Sequence, residues 1–440
     1  VTADPSAPWS GARTLYWFRS DLRLGDNPAL AQACATSSAL LPVVCHDPAQ
    51  DADTRWGFVR RGPHRQRFVH DSLIDLSTQL QARGSRLLQL SGRARDVLPA
   101  LARELQMDAV VTEDIAAPEE QDEVQALRAA GLKVHTRDQS GLFELADLPF
   151  APHKVPDVFT AFRQAVEHAM VRVPRVEPVP ERLPPAPPGP AHLMPPPPPP
   201  PPPPPAKDDA RSSFPYARHD FSGGETAGLL HLQRYFRGPL ARQYKATRNQ
   251  LSGTDYSTKL SPWLACGSLS ARQIHAVLLQ HEDRVGASDG SRWIVFELLW
   301  REHFRLLHRR HGQALYRARG LSQLPAPAHD AVAFARWCEG QTGEPLVDAG
   351  MRELATTGYL SNRLRQVVAS YLIHDLACDW RAGAAWFEST LVDFDVHSNQ
   401  GNWLYIAGRG TDPRGGRRFN VQKQAQDHDA DGAYRALWLT

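Results

Sequence analysis

An unbroken run of prolines from Pro195 to Pro205, closing a proline-studded stretch at 174–206, divides the chain into two parts with different residue patterns. Proline has no backbone N–H and a fixed φ, so this stretch can enter neither a helix interior nor a central strand. It favours an extended polyproline II rod. An interdomain linker over 151–213 is the expectation, although such a tract can also serve as a docking ligand for an aromatic groove. A chain of 440 residues leaves enough on either side for each part to bury its own core.

Before the tract, short β-rich runs alternate with helical ones. The apolar runs are TLYWF at 14–18, ALLPVVC at 39–45, RLLQL at 86–90, AVVT at 109–112 and KVHT at 133–136. Between them the clearest helix spans about 65–82, where Phe68, Leu73, Leu76 and Leu80 recur at near-helical spacing and Gly84 supplies a stop. Strand, helix and strand in repetition predict an α/β domain over 13–150 with a doubly wound parallel sheet, because parallel neighbours need crossover helices. A ligand site is expected at the carboxyl ends of its strands.

After Phe214 the strand signal ends. Helical patterns at 269–280, 292–311, 346–355, 361–378 and 381–392 predict an all-α domain over 214–440. A cofactor bound there must sit between helices, in a pocket built by polar groups from several of them.

Bulk properties exclude several classes. No stretch approaches eighteen consecutive apolar residues, so no membrane partner is expected. Val1 to Ala12 has no basic region followed by an apolar core, so no secretory leader is expected. Cys34, Cys45, Cys266, Cys338 and Cys378 form no C-x-x-C pair, which argues against a disulfide framework or a metal site and suits a reducing cytoplasm. A formal net charge of +2 does not announce nucleic acid by itself. Local clusters do exist, at Arg301, Arg305, Arg309, Arg310, Arg317 and Arg319, and at Arg409, Arg414, Arg417 and Arg418. Solvated faces or a flexible loop would also account for either cluster.

Three segments carry candidate chemistry. Ser257, Thr258, Lys259 and Ser261 precede Pro262, and hydroxyls ahead of a proline-started helix make either an anion site or an ordinary N-cap. Trp293, Glu297, Trp300 and Phe304 fall on one helical face, where a carboxylate among aromatic rings needs a partner. That partner is either Arg301 at i+4 or a ligand edge beneath the Trp300 indole. In the third segment Ser361 reads as an N-cap, with Leu364, Val367, Val368, Tyr371 and Leu372 as the buried stripe and Asn362, Arg365 and Gln366 on another face. The density of Asp393, Asp395, Asn399 and Asn402 opposite Arg365 favours a ligand pocket over a polar turn.

In order and spacing, STKLSPWLACGSLS, ELLWREHF, TGYLSNRLRQ, CDWRAGAAWF and DFDVHSNQGNW resemble the flavin-binding signature of the photolyase/cryptochrome superfamily. WFRSDLRLGDNPAL at 17–30 resembles the family's first strand and helix. VPDVFTAFRQAVE at 155–167, FSGGET at 221–226 and the tyrosine of NWLY resemble its DASH branch. The resemblance spans nearly the whole chain outside the proline tract and the first dozen residues.

The resemblance implies FAD held by Tyr244, Ser257, Thr258, Lys259, Leu260, Ser261, Glu297, Arg365, Asp393, Asp395 and Asn399. Arg365 would pair with Asp393, and Asp395 and Asn399 would meet the ring edge. It also implies electron transfer from excited reduced FAD to a flipped cyclobutane pyrimidine dimer. Glu297, Asn362, Trp300 and Asn399 would then be catalytic. Arg248, Trp300, Arg363, Gln366, Tyr405 and Arg409 would contact DNA, and the arginine clusters would form a DNA-facing rim. Trp403, Trp380 and Trp337 match positions of a photoreduction chain running to the surface. Glu113 matches an acidic residue expected to meet methenyltetrahydrofolate as an antenna. A monomer preferring single-stranded DNA is expected. The alternatives are a light sensor without DNA repair, or an enzyme acting on (6-4) lesions, which would want a histidine pair near the pocket; His397 is nearby.

Overall fold

The computed structural model describes residues 11–187 and 209–440. Val1–Ser10 and the Pro195–Pro205 run, on which the leader and polyproline expectations rest, lie outside the described residues.

The apolar runs of the first half become β1 (Ala12–Trp17), β2 (Ser37–His46), β3 (Leu88–Ser91), β4 (Ala109–Glu113) and β5 (Val134–Arg137). They form one sheet in the order β3-β2-β1-β4-β5, with every neighbouring pair parallel. Crossovers run through α1 (Pro28–Thr36), α2 (Pro63–Gln81), α3 (Ala94–Glu104) and α4 (Pro118–Ala129). Successive strand residues face opposite ways, and both faces are covered. Leu15, Trp17, Leu41, Val43 and Val110 meet Leu98, Leu101 and Leu127, whereas Tyr16, Leu40, Val44 and Val111 meet Leu30, Leu73, Leu76 and Leu80. Two buried faces explain why these strands read as continuous rather than alternating apolar runs. The direction of winding reverses between β1 and β4, so Phe18, Arg19 and Glu113 stand at the switch-point crevice.

Next comes α5 (Phe159–His168), inside the stretch expected to be linker. It is not a spacer: Phe159, Phe162 and Val166 share one helical face and are buried in the core of the second half. That second half comprises α6 (Glu225–Arg237), α7 (Leu240–Thr247), α8 (Ser261–Cys266), α9 (Ala271–Val285), α10 (Asp289–His311) and α11 (Ala331–Cys338). It continues with α12 (Pro345–Thr357), α13 (Asn362–His374), α14 (Trp380–Thr390), α15 (Val396–Ile406), α16 (Val421–His428) and α17 (Ala433–Leu439). Side chains set several helix starts. Ser270 and Ser288 form capping boxes on α9 and α10, Ser361 Oγ accepts from Leu364 N on α13, and Asp395 accepts from Ser398 N on α15. The buried stripe of α13 is Leu364, Val367, Val368 and Leu372, while Tyr371 is only half-buried.

The two halves are joined by ionic contacts. Arg272 pairs with Asp26 at 2.9 Å, both buried, and the Glu225 carboxylate accepts from the backbone N–H of Leu24 and Gly25. Gly267 lies so close to the sheet domain that a Cβ would stand 1.9 Å from the Ser20 carbonyl, and its φ of +74° suits glycine alone. The arginines of α10 belong to this seam. Arg305 pairs with Asp138, Arg309 with Asp114 and Asp138, and Arg310 with Asp157. The DNA-facing rim expected of Arg305, Arg309 and Arg310 is therefore corrected: Arg305 and Arg309 neutralise acids on the sheet half and Arg310 pairs with an acid in the segment leading into α5, and clustering in sequence could not reveal which surface they face.

Candidate functional site

A cavity of about 380 Å³ opens between α7, the 256–264 segment, α10, α13 and α15. A smaller chamber of about 90 Å³ adjoins it, sharing Asn362, Arg365, Gln366 and Asp393 and adding Asp395, Asn399 and Trp403. Tyr244, Ser257, Thr258, Lys259, Leu260, Ser261, Glu297, Trp300 and Tyr405 all line the larger cavity, so segments separated by up to ~160 residues of sequence converge on one space.

The expected anion site takes a different form. Ser261 is the first residue of α8, not its cap, and this six-residue helix has no side-chain cap. A helix so short offers little dipole. The positive group is Lys259, a residue 1% exposed whose ammonium sits 3.3 Å from the Tyr256 ring centroid and has no hydrogen-bond partner among the described residues. Burial holds its pKa well below the ordinary lysine value, against the pull of Glu353.

Opposite it, Arg365 donates from Nη2 to Asp393 Oδ2 at 2.8 Å and from Nε to the Leu360 carbonyl, which fixes the guanidinium. The other Asp393 oxygen, Oδ1, is buried without a partner among the described residues. Burial pushes Asp395 up, but Arg301 at 3.7 Å and the Ser398 N–H outweigh it and hold the carboxyl below its usual range. Asn399 donates from Nδ2 to the Ala384 carbonyl, so its amide oxygen is oriented by the fold.

These features fit FAD. An unpaired buried ammonium suits a phosphate, and an unpaired buried carboxylate oxygen suits an N–H on the ring edge. Native proteins rarely leave such groups unsatisfied.

At the mouth, Glu297 does not pair with Arg301. Its Oε1 accepts from Arg248 Nη1 at 2.7 Å and from Trp293 Nε1 at 3.0 Å, and burial raises its pKa against the pull of Arg248. Arg301 turns instead to Asp395 and the Ser140 carbonyl. Arg363 donates to Gln366 and Asn249, Asn362 is exposed, and Tyr405 OH accepts from Arg417 Nη2 at 2.6 Å. Trp300 stacks on Phe159 at 3.8 Å with the planes 7° apart. This contact was not foreseen, although the VPDVF segment that supplies it was recognisable. Arg409 does not line the cavity. It is 9% exposed and stands near Asp379 and Arg381, so its place among DNA contacts is corrected.

Trp403 borders the smaller chamber, and a Cβ on Gly383 would lie 2.2 Å from its indole, so glycine is required there. Trp403, Trp380 and Trp337 are all buried, Trp337 completely, with its Nε1 donating to the Val368 carbonyl. Trp337 therefore cannot be a surface terminus. His397 faces away from the cavity too, 4.7 Å from His308 in a buried edge-to-face pair, which removes the histidine arrangement wanted for (6-4) lesions.

A second cavity, about 480 Å³, lies in the seam beneath the switch point. Glu113, Arg19, Cys45, Arg301, Arg305 and His397 are among its walls. Glu113 is buried and accepts from Ser140 Oγ, and burial together with the Asp21 charge pushes it up to about 7.

The family model for the DNA photolyase domain matches residues 14–186, and that for the FAD binding domain of DNA photolyase matches 293–440. The parallel sheet, the helical half with its cavity and the two family matches thus define a flavoprotein of the photolyase/cryptochrome superfamily. Within it the chain belongs to the cryptochrome DASH family. It is 43% identical over 97% of its length to the cryptochrome DASH of Gloeobacter violaceus, covering 85% of that protein, and 42% identical to that of Xenopus laevis, covering 96% of this chain and 81% of that one. The crystal structure of a Synechocystis cryptochrome superposes with a TM-score of 0.91 at 41% identity, over 98% of this chain and 89% of that one. A class III photolyase from Agrobacterium tumefaciens does so with 0.78 at 29% identity, over 99% and 88%.

Proposed function

We propose that this chain uses blue light and FAD to split cyclobutane pyrimidine dimers, preferentially in single-stranded DNA. The observation that carries this reading is that candidate flavin partners and candidate lesion partners line one cavity. Lys259, Arg365 and Asp393 stand at its floor, and Glu297, Trp300, Asn362, Gln366 and Tyr405 at its mouth.

Bound in its reduced form, FAD would supply the light-driven electron chemistry by which the dimer opens. The chain's own residues hold and orient. The Glu297 carboxyl and the Asn362 amide hydrogen-bond the flipped pyrimidines, with Arg248 fixing the carboxyl. Trp300, stacked on Phe159, lines the same cavity and offers its indole to a base there. Arg363 meets a flanking phosphate, and Asn399 and Asp395 address the flavin ring edge. Trp403 relays electrons to resting flavin. The seam cavity with Glu113 suits methenyltetrahydrofolate, because a buried carboxyl with one unpartnered oxygen is ready to bond a pterin edge.

In duplex DNA the lesion must leave the stack at a cost of a few kcal/mol. Tyr405 and the polar Gln366 provide less apolar stacking surface than a tryptophan and a methionine would, so the pocket recovers less of that cost. A deficit of ~1.4 kcal/mol lowers the bound population tenfold. The test is side-by-side repair of one dimer in single-stranded and duplex oligonucleotides at fixed salt. Faster single-strand repair is expected. Equal rates would refute the preference, and no light-dependent repair of either would refute the enzyme.

A further inference from the structure

The three buried tryptophans leave a gap between flavin and solvent, and the ring contacts around Trp337 close it. Trp337 meets Trp403 edge-to-face at 6.4 Å on one side and Phe334 at 6.0 Å on the other. Phe334 in turn meets Trp56 at 6.4 Å. Centroids within this range place the rings in van der Waals contact. Trp56 is half-buried, whereas Trp403 and Trp337 are sealed. It belongs to the loop between β2 and α2 of the sheet domain and docks onto the helical half against Phe334 and the edge of His329 at 4.9 Å.

We propose that Trp56 is the solvent end of the photoreduction relay, reached from Trp403 through Trp337 and across the Phe334 ring. The proposal rests on the reading that Trp403 donates to photoexcited oxidised flavin. Trp403 gives up one electron to that flavin, Trp337 refills Trp403, and Trp56 refills Trp337. The indole cation left at Trp56 releases its N–H proton to water, and an external thiol later returns one electron and one proton. Oxidised flavin is the species reduced and the thiol is the species oxidised.

Two features favour ending the relay here. A half-exposed indole can lose its proton to water, which the sealed Trp337, its N–H held by the Val368 carbonyl, cannot do. The Arg55 guanidinium lies 4.6 Å from the Trp56 ring centroid and repels a persistent cation, so deprotonation is the favoured fate. The proton loss separates the charges and slows the electron's return.

The experiment compares the FAD-loaded parent with Trp56→Phe, Trp56→Tyr, Trp380→Phe and Trp403→Phe, each checked for flavin content. Readouts are thiol-dependent flavin photoreduction, the transient absorption of a deprotonated indole radical, and oxidised indole located by peptide mass mapping after illumination without thiol. Trp56→Phe is expected to slow photoreduction at least tenfold, ~1.4 kcal/mol in barrier, and to abolish the long-lived radical. Trp56→Tyr should restore part of the rate, because tyrosine also donates an electron with loss of a proton. In the parent, oxidised indole should map to Trp56. If Trp403→Phe blocks photoreduction while Trp56→Phe keeps the parental rate and radical, the exit lies elsewhere and the Trp56 assignment is overturned alone. If Trp403→Phe also keeps the parental rate, the whole relay reading falls.

Discussion

Removing Arg365 is expected to weaken FAD binding about a hundredfold. Its partner Asp393 has a side chain only 1% exposed, with one oxygen held by Arg365 Nη2 at 2.8 Å and the other unpaired. Arg365→Ala leaves that carboxylate without its cation in a site that flavin must dehydrate further. Breaking a buried pair by removing one member costs about 3–5 kcal/mol, and ~3 kcal/mol in binding corresponds to roughly two orders of magnitude in Kd. Asp393→Ala is expected to cost less, since the Arg365 side chain is 23% exposed and keeps both the Leu360 carbonyl and the Tyr359 ring, 5.3 Å from its guanidinium carbon. The double variant should lose less than the two singles combined, because each single removes the same interaction. Arg365→Lys should fall between parent and alanine: a point charge cannot serve the carbonyl and the carboxylate together. Titration of the apoprotein with FAD, followed by flavin fluorescence, gives each Kd. An Arg365→Ala value within about threefold of the parent, less than 1 kcal/mol, would refute the argument that this pair organises the flavin site.

Glu353, fully buried beside Tyr434, is pushed by desolvation from 4.5 to about 7. The folded state therefore binds its proton more tightly than the unfolded chain, and the associated stability is present below about 4.5 and lost as pH rises through about 7. Against Glu353→Gln, which cannot ionise, the parent should lose up to ~3 kcal/mol across that window. A pH-independent difference in thermal midpoint would count against it. Arg363→Ala should flatten the dependence of log K for single-stranded DNA on log salt by about one contact's worth, ~0.7. Arg305→Ala should leave that slope unchanged while destabilising the protein by less than the ~3–5 kcal/mol of a fully broken buried pair, because Asp138 in the seam keeps Arg309 as its counter-charge. A shallower slope for Arg305→Ala would return the α10 arginines to the DNA surface. In the parent, Glu113→Gln should reduce capture of methenyltetrahydrofolate in an absorbance titration, and unchanged capture would separate the seam cavity from that ligand.

The local chemistry of this chain was legible in its sequence. Short apolar runs and period-3.6 patterns are local features of the chain, so the strands, the α10 stripe and the Ser361 cap could be read directly. Motif order likewise indicated that Lys259, Glu297, Arg365 and Asp393 belong together. Direction and partnership were not legible, because they are set by the docking of the two halves. The α10 arginines could equally have faced DNA or acids, and only tertiary packing put Asp114 and Asp138 of the sheet half, and Asp157 ahead of α5, against them. Glu297 had an arginine at i+4, yet Arg248, just past the end of α7, pairs with it instead. Trp337 and Trp56 are 281 positions apart and share no pattern. Their connection through Phe334 exists because a loop of the sheet domain closes over the helical core, a contact fixed by tertiary packing that no local periodicity encodes.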